Sequence, residues 1–369
     1  MRIVITGGGT GGHIYPALAV ALILKDKGWD ILYIGSSNSL EEKIAKEWGL
    51  KFESVNVAPL PRKLTYKLFK SAASNFKGLY QSRKIINEFN ADLVFGTGGF
   101  VTGSVVLAAF LKGVPTLIHE QNVYPGLTNK LLSYLVDKIA VNFVDAKEYF
   151  SGKVNNKIVH TGNPVRDDII KTKRKDGIKY FDFSFDKKTL LIFGGSQGSV
   201  SINKAVLGIY EYVLAKNDIQ LIHITGKNNY EKQLNYINKK GINLKKYAHI
   251  KIIPYLDHME YAYAAADLVI SRAGATGIAE ITVKGLASIL IPYPFATGDH
   301  QMYNAKSLSK HGAAKVIAEK NLDKDILLKN FKRIIEDKKL LKKMSKKSKK
   351  LGERNAANKI VAELEDLVK

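Results

Sequence analysis

The sequence predicts an α/β protein built from two doubly wound, Rossmann-like domains. Short β-rich segments alternate with helical segments, and glycine clusters follow several of the β-rich segments. Such alternation implies right-handed crossovers and parallel sheets. The 369 residues exceed what one ordinary core accommodates. We therefore expect two domains that face each other across a cleft, because parallel sheets of this kind bind ligands at the carboxyl ends of their strands.

The first half of the chain supplies the clearest alternation. Arg2–Thr6 is the first predicted strand, and it ends at a glycine cluster. Pro16 suits the first turn of the helix that follows, and Gly28 can end that helix. Further strands are predicted at 30–34, 52–57, 92–97, 115–119 and 138–142, with helical segments between them.

The second half repeats this order after a break. Residues 165–188 carry clustered charges without a clean period, so we interpret them as the domain junction. A strand at 189–193, a glycine loop and a helix restart the pattern, and strands are predicted at 220–225, 249–253, 268–271 and 288–291. The predicted domains are therefore 1–164 and 165–369, with the last helix able to pack back on the first domain.

Composition limits the possible partners. Lys+Arg 57 against Asp+Glu 34 gives a formal net charge of +23. This charge favours phosphorylated substrates, an anionic membrane surface or nucleic acid, although lysines on solvated helix faces explain it equally well. No zinc-finger spacing or RNP-type aromatic motif supports nucleic acid. The absence of cysteine excludes disulfides and thiol catalysis. The N-terminus predicts a strand rather than a signal peptide, and no apolar run approaches the ~20 residues that span a bilayer.

Three glycine loops predict phosphate binding. The first loop, GGGTGGH at 7–13, matches the G-x-G-x-x-G pattern, but no acidic residue ends the next strand to hold the ribose of a dinucleotide. GTGGFVTG at 96–103 and GGSQGS at 194–199 also follow predicted strands, and Ser196 offers a hydroxyl to a phosphate oxygen. Glycine loops expose backbone N–H groups and a helix N-terminus to an anion. We therefore expect two phosphate-bearing ligands, one for each domain.

His13 is the candidate catalytic base. It lies at the rim of the first glycine loop, and histidine with an ordinary pKa near ~6.5 can accept a hydroxyl proton at neutral pH. The alternative is a histidine that only hydrogen-bonds its own loop. The motif HEQN at 119–122 lacks the second histidine of a zinc-protease helix, and no Asp-x-Asp pair is present, so we expect neither a catalytic metal nor a cofactor.

Polar residues after other strands are candidate ligand contacts. Glu120, Gln121 and Asn122 follow a predicted strand and are expected to line the cleft; the alternative is a capped turn. Glu280 lies in the first turns of a helix, where a carboxylate can accept both hydroxyls of a ribose. Gln301 follows another strand and suits sugar hydroxyls, although each of these two could equally be a helix cap.

These motifs resemble those of the MurG family of bacterial glycosyltransferases. In chain order they read GGGTGGH, GTGGFVTG, HEQN, TGNPVR, GGSQG, SRAGATGIAE and DHQ, so the resemblance covers almost the whole chain. It implies a GT-B architecture and metal-independent, inverting transfer of GlcNAc from UDP-GlcNAc to lipid I, giving lipid II. It also implies an acceptor site in the N-terminal domain, a UDP site in the C-terminal domain, and a peripheral position on the cytoplasmic face of the cell membrane.

The resemblance also assigns roles to individual residues. His13 is the implied base for the acceptor hydroxyl, with Glu120 as its assistant. The implied contacts to UDP-GlcNAc are Thr10, Gly11, Gly12, His13, Asn122, Arg166, Ser196, Ile253, Ala275, Glu280 and Gln301. Among these, Ser196 is implied to bind the phosphates, Glu280 the ribose and Gln301 the GlcNAc hydroxyls. The implied contacts to the acceptor diphosphate are Gly9, Thr10, Gly98, Gly99 and Thr102.

A basic and apolar segment predicts the membrane contact. Residues 60–83 interleave leucine and aromatic side chains with lysine and arginine, which suits a helix at an anionic interface. The alternative is an ordinary amphipathic helix packed on the sheet. We interpret the lysine stripe at 338–350 as a solvated helix face. Competing functions are a UDP-sugar:diacylglycerol glycosyltransferase, a UDP-GlcNAc 2-epimerase, a non-catalytic nucleotide-sugar binding module and a nucleic-acid binder.

Overall fold

The protein forms two compact α/β units in a computed structural model. The structure describes residues 1–58, 66–216, 218–242 and 246–369. Unit 1 comprises Met1–Pro164 and Asn355–Lys369, and unit 2 comprises Val165–Arg354. Within these described ranges, none of the helices combines the length and the hydropathy that crossing a bilayer requires.

Unit 1 contains a seven-stranded parallel sheet in the order β3-β2-β1-β4-β5-β6-β7. The strands are β1 (Arg2–Thr6), β2 (Asp30–Gly35), β3 (Lys51–Ser54), β4 (Leu93–Gly96), β5 (Thr116–Glu120), β6 (Lys138–Val141) and β7 (Ile158–His160). The helices are α1 (Gly11–Asp26), α2 (Leu40–Glu47), α3 (Tyr66–Phe89), α4 (Phe100–Leu111) and α5 (Leu127–Leu132), and 3-10 helices cover Val144–Tyr149 and Gly152–Lys157.

The strands of unit 1 are covered by helices on both faces. Ile3 and Ile5 of β1 belong to one apolar cluster with α1, whereas Val4 belongs to a second cluster with α4 on the opposite face. All three side chains are fully buried. Because successive side chains of a strand point to opposite faces, a strand covered on both sides carries a continuous apolar run. The doubly wound layering therefore follows from the run that opens the sequence.

Unit 2 contains a six-stranded parallel sheet in the order β10-β9-β8-β11-β12-β13. The strands are β8 (Lys188–Phe193), β9 (Ile219–Ile224), β10 (Ile250–Ile253), β11 (Leu268–Ser271), β12 (Ala287–Leu290) and β13 (Ala314–Val316). The helices are α6 (Asp167–Lys171), α7 (Arg174–Phe181), α8 (Val200–Ala205), α9 (Leu207–Ala215), α10 (Tyr230–Lys239), α11 (Met259–Ala265), α12 (Ala275–Lys284), α13 (His300–Lys310), α14 (Lys324–Glu336) and α15 (Lys338–Leu351). Short 3-10 helices cover Lys227–Asn229, Thr297–Asp299 and Glu319–Asn321.

Both sheets reverse direction beside their first strand. In unit 1 the chain moves outward from β1 to β3 and then returns to β4 on the other side of β1. In unit 2 it moves from β8 to β10 and returns to β11 on the other side of β8. Loops diverge at such a point and leave a crevice at the carboxyl ends of the strands. All three predicted glycine loops follow strands at these two positions.

The boundary between the two units lies between Pro164 and Val165, at the start of the segment 165–188. This segment is not irregular, because it forms α6 and α7 and the start of β8 within unit 2. Helix α7 packs closely on α11: a Cβ atom on Gly177 would lie 2.4 Å from the carbonyl oxygen of Tyr261. The clustered charges, such as Lys175 and Lys179, are exposed. Two three-residue strands, β7 and β13, were not predicted because they are too short to show a period.

The last helix, α16 (Ala356–Asp366), completes the core of unit 1. Ile360, Val361 and Leu364 are buried in the same cluster as α1. At the helix surface, Lys138 Nζ lies 2.7 Å from a carboxylate oxygen of Glu363. Unit 1 is therefore built from both ends of the chain.

Replacing Leu364 by alanine should weaken unit 1 selectively. We expect the free energy of unfolding of unit 1 to fall by ~2–5 kcal/mol, because the change leaves a cavity in a closed core. Trp29 and Trp48, the only tryptophans, both lie in unit 1, so their fluorescence in a urea titration reports this unit. Asn358→Ala, on the exposed face of α16, is the control. Equal effects of the two variants would show that α16 is not part of the core.

Candidate functional site

The two glycine loops of unit 1 pack against each other. The amide of Gly8 donates to the carbonyl oxygen of Gly98 at 3.3 Å. Gly99 has φ +88, and a Cβ atom there would lie only 2.4 Å from the carbonyl oxygen of Gly8. A side chain at this position would therefore force the loops apart. The contact brings the ends of β1 and β4 into one backbone surface.

His13 lies on this surface, in the first turn of α1, and is half-buried. Its Nδ1 atom is 2.9 Å from the carbonyl oxygen of Thr97 and 2.9 Å from Oε1 of Gln121. Both oxygens can only accept a hydrogen bond, so Nδ1 carries the proton. The neutral ring therefore keeps its basic lone pair on Nε2.

A buried histidine fixes the orientation of Gln121. The ring of His119 is fully buried, and burial lowers the pKa of His119 to about 4. Its Nε2 donates to the carbonyl oxygen of Gly162 at 3.0 Å, so the neutral ring accepts at Nδ1. The donor to Nδ1 is Nε2 of Gln121 at 3.0 Å, which turns Oε1 of Gln121 toward His13. One backbone carbonyl thus determines the tautomers of two histidines.

Gln121 therefore differs from its predicted position. It is buried rather than exposed in the cleft, and its Nε2 also donates to the carbonyl oxygen of Thr97 at 2.7 Å. The side chain of Gln121 therefore orients the ring of His13 from the protein interior.

The structure also corrects the role predicted for Glu120. Its carboxylate is buried, and Oε1 accepts from the amide and the side chain of Asn122 at 2.9 and 3.2 Å. Oε2 accepts from the amide of Gly126 at 3.1 Å and from Asn129 Nδ2 at 2.8 Å. Four donors use the acceptor capacity of the carboxylate, so Glu120 cannot assist proton removal. It organises the turn that presents Asn122, as the alternative of a capped turn expected.

The predicted diphosphate contacts in unit 1 are of two kinds. Gly9 and Thr10 are exposed, and Thr10 precedes α1 without a side-chain hydrogen bond to the helix. The first amides of α1, at Gly11 and Gly12, belong to a helix N-terminus, where intrahelical acceptors are lacking. Thr102 is a correction: its hydroxyl is buried and donates to the carbonyl oxygen of Gly98 at 2.7 Å. It therefore shapes the second loop and presents no hydroxyl to a ligand.

The third glycine loop lies in unit 2 and is held by equally close backbone contacts. Gly198 has φ +74, and a Cβ atom there would lie 2.1 Å from the carbonyl oxygen of Thr225. Ser199 ends the loop and caps α8 by accepting from the amide of Ile202 at 3.4 Å. Ser196 is exposed in the loop, as a phosphate contact requires.

Arg272 ties this loop to the loop after β11. Its Nη2 donates to Oγ of Ser199 at 2.8 Å and to Oγ of Ser201 at 3.1 Å, and its Nη1 donates to Glu319. Burial raises the pKa of Glu319, but hydrogen bonds from Arg272 and Ser201 outweigh this effect and keep the pKa below its usual range. Most of the charge of Arg272 is therefore neutralised by Glu319 within the unit.

Gln301 makes a second connection between loops. Its Oε1 accepts from the amide of Ala273 at 3.2 Å and from the amide of Tyr293 at 2.9 Å. The loops after β11 and β12 are joined in this way, beside the buried Ala275 that begins α12.

Ile253, another predicted donor contact, ends the edge strand β10. Its carbonyl oxygen accepts from the amide of Thr225 at 3.0 Å.

Glu280 is the most perturbed carboxylate of unit 2. It lies in α12 and accepts from the hydroxyl of Tyr263 at 2.8 Å. Burial raises the pKa of Glu280 to about 7, although the hydrogen bond from Tyr263 and the charge of Arg166 act in the opposite direction. Arg166 itself is exposed, 3.8 Å from Glu260 and 3.4 Å from Asp168. Strongly shifted carboxyl groups are typical of functional sites.

Comparison with known proteins identifies the family. The glycosyltransferase family 28 N-terminal domain matches residues 3–141, and the family 28 C-terminal domain matches residues 189–360. A curated relative from Halothermothrix orenii is 50% identical over 369 residues and covers all of both chains. It is named UDP-N-acetylglucosamine–N-acetylmuramyl-(pentapeptide) pyrophosphoryl-undecaprenol N-acetylglucosamine transferase. The Bacillus subtilis protein of the same name is 42% identical over 371 residues, again with all of both chains covered.

Solved structures agree with this assignment. The crystal structure of Acinetobacter baumannii MurG is 28% identical, covers 99% of each chain and has a TM-score of 0.80. The chain belongs to the MurG family. Its two parallel-sheet units are the two domains of the GT-B fold. The UDP-GlcNAc 2-epimerase of Neisseria meningitidis, bound to UDP-GlcNAc, is only 15% identical with a TM-score of 0.68 and shares the fold alone.

Two residues beside the loops of this MurG-family chain were missed by the sequence analysis. Glu41 is buried behind the first loop, where Oε2 accepts from the amide of Gly9 at 3.4 Å and Oε1 from the amide of Ser36 at 3.3 Å. Nothing in the sequence distinguishes Glu41 from an ordinary residue in the first turn of α2. Arg272 could have been found, since it is a charged residue directly after a buried strand.

In the part of the chain that the structure describes, no group of three or more His, Cys, Asp or Glu side chains could hold an ion.

The shifted pKa of Glu280 predicts a pH-dependent stability of unit 2. A carboxyl group whose pKa is raised by folding binds more protons in the folded state, so stability falls as pH rises from about 4.5 to about 7. Glu280→Gln removes this titration. We expect its unfolding free energy, relative to wild type, to increase by up to ~3 kcal/mol between pH 5 and pH 8.

Hydrogen exchange of the β11 and β12 amides measures this difference within unit 2. Glu211→Gln, on the exposed face of α9, is the matched control and should show no such trend. A difference between Glu280→Gln and wild type that stays constant across this pH range would contradict the assigned shift.

Proposed function

We propose that the chain transfers N-acetylglucosamine from UDP-GlcNAc to the C4 hydroxyl of the MurNAc unit of lipid I, giving lipid II in peptidoglycan synthesis. This is a hexosyl transfer of the kind in the names of the relatives that are 50% and 42% identical over the full chain. The observation that carries the proposal is His13, whose free Nε2 lone pair lies on a surface of two glycine loops.

The proposed mechanism is a single displacement. His13 Nε2 accepts the proton of the acceptor hydroxyl while the hydroxyl oxygen attacks C1 of the α-linked GlcNAc. The C1–O bond to UDP breaks, and the new bond is β-1,4. The imidazolium that forms is stabilised at Nδ1 by the carbonyl oxygen of Thr97 and by Oε1 of Gln121. The charge of the leaving UDP is met by amides of the third loop and by Ser196, which suits a reaction without a metal or other cofactor.

In this proposal each unit provides the main contacts of one substrate, and unit 1 adds several contacts to the donor. Unit 1 receives the acceptor, whose diphosphate contacts Gly9 and Thr10 and the backbone of Gly98 and Gly99. Unit 2 holds the donor. There Ser196 binds phosphate, Glu280 accepts from the ribose hydroxyls, and Gln301 contacts the sugar hydroxyls through its Nε2. The remaining proposed donor contacts are Thr10, Gly11, Gly12, His13, Asn122, Arg166, Ile253 and Ala275.

Ribose binding by Glu280 is consistent with the raised pKa of its carboxyl group. Its ionised form is destabilised by burial, as the raised pKa shows. Two hydroxyl donors would stabilise that ionised carboxylate, because hydrogen bonds to the charged form favour it. The donor would thus supply hydrogen bonds that favour the ionised form of Glu280.

We further propose that α3 holds the protein peripherally on the cytoplasmic face of the membrane. Phe76 and Tyr80 lie one helical turn apart and are 78% and 74% exposed, and Lys77 and Arg83 are exposed beside them. An amphipathic helix packed on the sheet would bury its aromatic rings, so this pattern favours the membrane alternative. Residues 60–65 of the predicted segment lie outside the described residues, which resume at Tyr66.

The rival functions differ in the acceptor. A 2-epimerase needs no acceptor and would convert UDP-GlcNAc to UDP-ManNAc, and a diacylglycerol glycosyltransferase would glycosylate a neutral lipid. The discriminating experiment incubates the purified protein with radiolabelled UDP-GlcNAc, a short-chain lipid I analogue and EDTA. Labelled lipid II product supports the proposal. Label in UDP-ManNAc or in glycosylated diacylglycerol would overturn it.

His13→Ala should lower turnover in this assay by ~10²–10⁴-fold, because a well-placed base contributes this much. UDP-GlcNAc binding by unit 2 should remain.

Gln121→Glu is a sharper test of the base. A carboxylate beside Nδ1 of His13 stabilises the protonated, inactive imidazolium. The acid limb of the pH–rate profile should therefore move to higher pH by ~1–3 units. Asn87→Asp, the same charge change on the exposed surface of α3, is the control. An unmoved profile in Gln121→Glu would separate this residue from the base.

The membrane proposal predicts a loss of vesicle binding in Phe76→Ser/Tyr80→Ser. Flotation with vesicles rich in anionic phospholipid should recover wild type, less so at high salt, because exposed charges are screened. The double variant should be recovered at least about tenfold less, since two large apolar rings no longer enter the interface. Phe185→Ser, which removes a 61% exposed ring from unit 2, should behave as wild type. Equal recovery of all three proteins would refute the proposal.

A further inference from the structure

A cleft of about 880 Å³ lies in unit 2, at the amino ends of its central strands. Its walls include Lys188, the first residue of β8, and Leu286, which precedes β12. The third glycine loop follows the other end of β8. The five steps from Lys188 to Phe193, at about 3.3 Å each, separate the two ends by about 17 Å. The cleft is therefore distinct from the predicted phosphate site of the donor, although Tyr263, which donates to Glu280, also contributes to its lining.

The walls of this cleft are strongly basic. Eight of the lining side chains are lysine or arginine, and one, Asp267, is a carboxylate. Asp267 already has hydrogen-bond partners. Its carboxylate oxygens accept from both Nη atoms of Arg174 at 3.2 and 3.1 Å and from the amide of Thr189 at 2.8 Å. Lys171 is paired with Asp167, just outside the lining, at 2.6 Å. No carboxylate of the lining remains to balance the other cations.

Two of the lysines are held by neutral groups. Lys284 Nζ donates to the carbonyl oxygen of Thr172 at 2.6 Å, and Lys188 Nζ donates to the carbonyl oxygen of Ile335. Burial and then the charge of Arg354 lower the pKa of Lys284 below its usual range, although the charge of Asp176 acts in the opposite direction. The positive charge of the cleft is therefore only partly compensated, and an anion would relieve this repulsion.

Helix α15 contributes the most accessible cations. Lys338 and Lys342 lie one turn apart in the lining and are exposed, whereas Lys339 and Lys343 of the same helix do not line the cleft. In the described parts of the chain, neither Lys338 nor Lys342 pairs with a carboxylate. The lysine stripe at 338–350, which was predicted to be a solvated helix face, therefore borders the cleft along one edge.

We propose that this cleft binds an anion carrying two or more phosphate groups. The volume is that of a small-ligand site, and lysine ammonium groups are point charges that suit phosphate oxygens. The cleft is lined by Ile170 to Arg174, soon after the chain enters unit 2, and by Arg354, where it leaves. The phosphates could belong to a soluble oligophosphate or to the headgroups of anionic lipids.

The test uses tripolyphosphate as the probe, titrated calorimetrically into full-length protein saturated with UDP, which occupies the donor site. Lys338→Gln/Lys342→Gln should raise the Kd of one binding event at least about tenfold. Lys339→Gln/Lys343→Gln has the same charge change on the same helix and should change that Kd less than about twofold. Equal weakening by the two pairs, or no saturable event in wild type, would overturn the proposal.

A second arm identifies the source of the phosphate. Vesicles of anionic phospholipid are offered to Phe76→Ser/Tyr80→Ser, in which the proposed α3 contact is removed, with and without the Lys338→Gln/Lys342→Gln changes. Residual flotation that tripolyphosphate abolishes and the lysine changes remove supports the cleft with a lipid headgroup as its ligand. Tripolyphosphate binding without such flotation supports the cleft with a soluble ligand. Because the calorimetry requires no turnover, its result is independent of the proposed transferase activity.

Discussion

The close approach of backbone to backbone at the ends of the central strands is the constraint on which both units depend. Gly99 meets the carbonyl of Gly8 in unit 1, and Gly198 meets the carbonyl of Thr225 in unit 2, at distances that leave no room for a Cβ atom. Because side chains are absent, amides rather than side chains form the surface at each reversal of strand order. Every other group of the candidate site is positioned relative to these loops.

Both units support their loops with a fully buried, neutral histidine. His119 in β5 and His223 in β9 have pKa values lowered by burial to about 4 and about 3. His223 accepts from the hydroxyl of Tyr210 at 2.6 Å and donates to Asn203 Oδ1 at 3.0 Å. Asn203 Nδ2 in turn donates to the carbonyl of Thr225 at 3.0 Å.

The hydrogen-bond networks around His119 and His223 therefore follow the same principle. A neutral imidazole has one donor and one acceptor, so fixing one nitrogen fixes the other, and an adjacent amide side chain carries that choice onward. In unit 1 the chain of hydrogen bonds ends at the ring of His13 and leaves the basic lone pair on Nε2. In unit 2 it ends at the carbonyl that packs on Gly198. A buried network of this kind is rigid only when its buried members are satisfied, and both buried histidines use both of their ring nitrogens.

The fold was largely predictable because its signals are local. Apolar runs such as Ile3 to Ile5, followed by glycine, mark strands that end at ligand-binding loops, and the structure has strands there. Side-chain direction was not predictable. Glu120 and Thr102 belong to the expected motifs, yet both face inward, where Glu120 accepts from the amide of Gly126 and Thr102 donates to the carbonyl of Gly98. The position of Arg272 after a buried strand was visible in the sequence, but its carboxylate partner, Glu319, is 47 residues away along the chain and was not.

The distribution of charge separates two ways of holding phosphate. The net charge is +23, yet the third glycine loop gains little from it, because Arg272 is paired with Glu319. The phosphate binding that we propose for this loop therefore relies on oriented amides, whose fixed dipoles act at contact distance. The unbalanced cations lie elsewhere, on α3 and along the cleft beside α15. Exposed charges of this kind are screened within ~8 Å at physiological ionic strength. Under the proposed function, salt should therefore weaken attachment to the membrane far more than diphosphate binding by the loops.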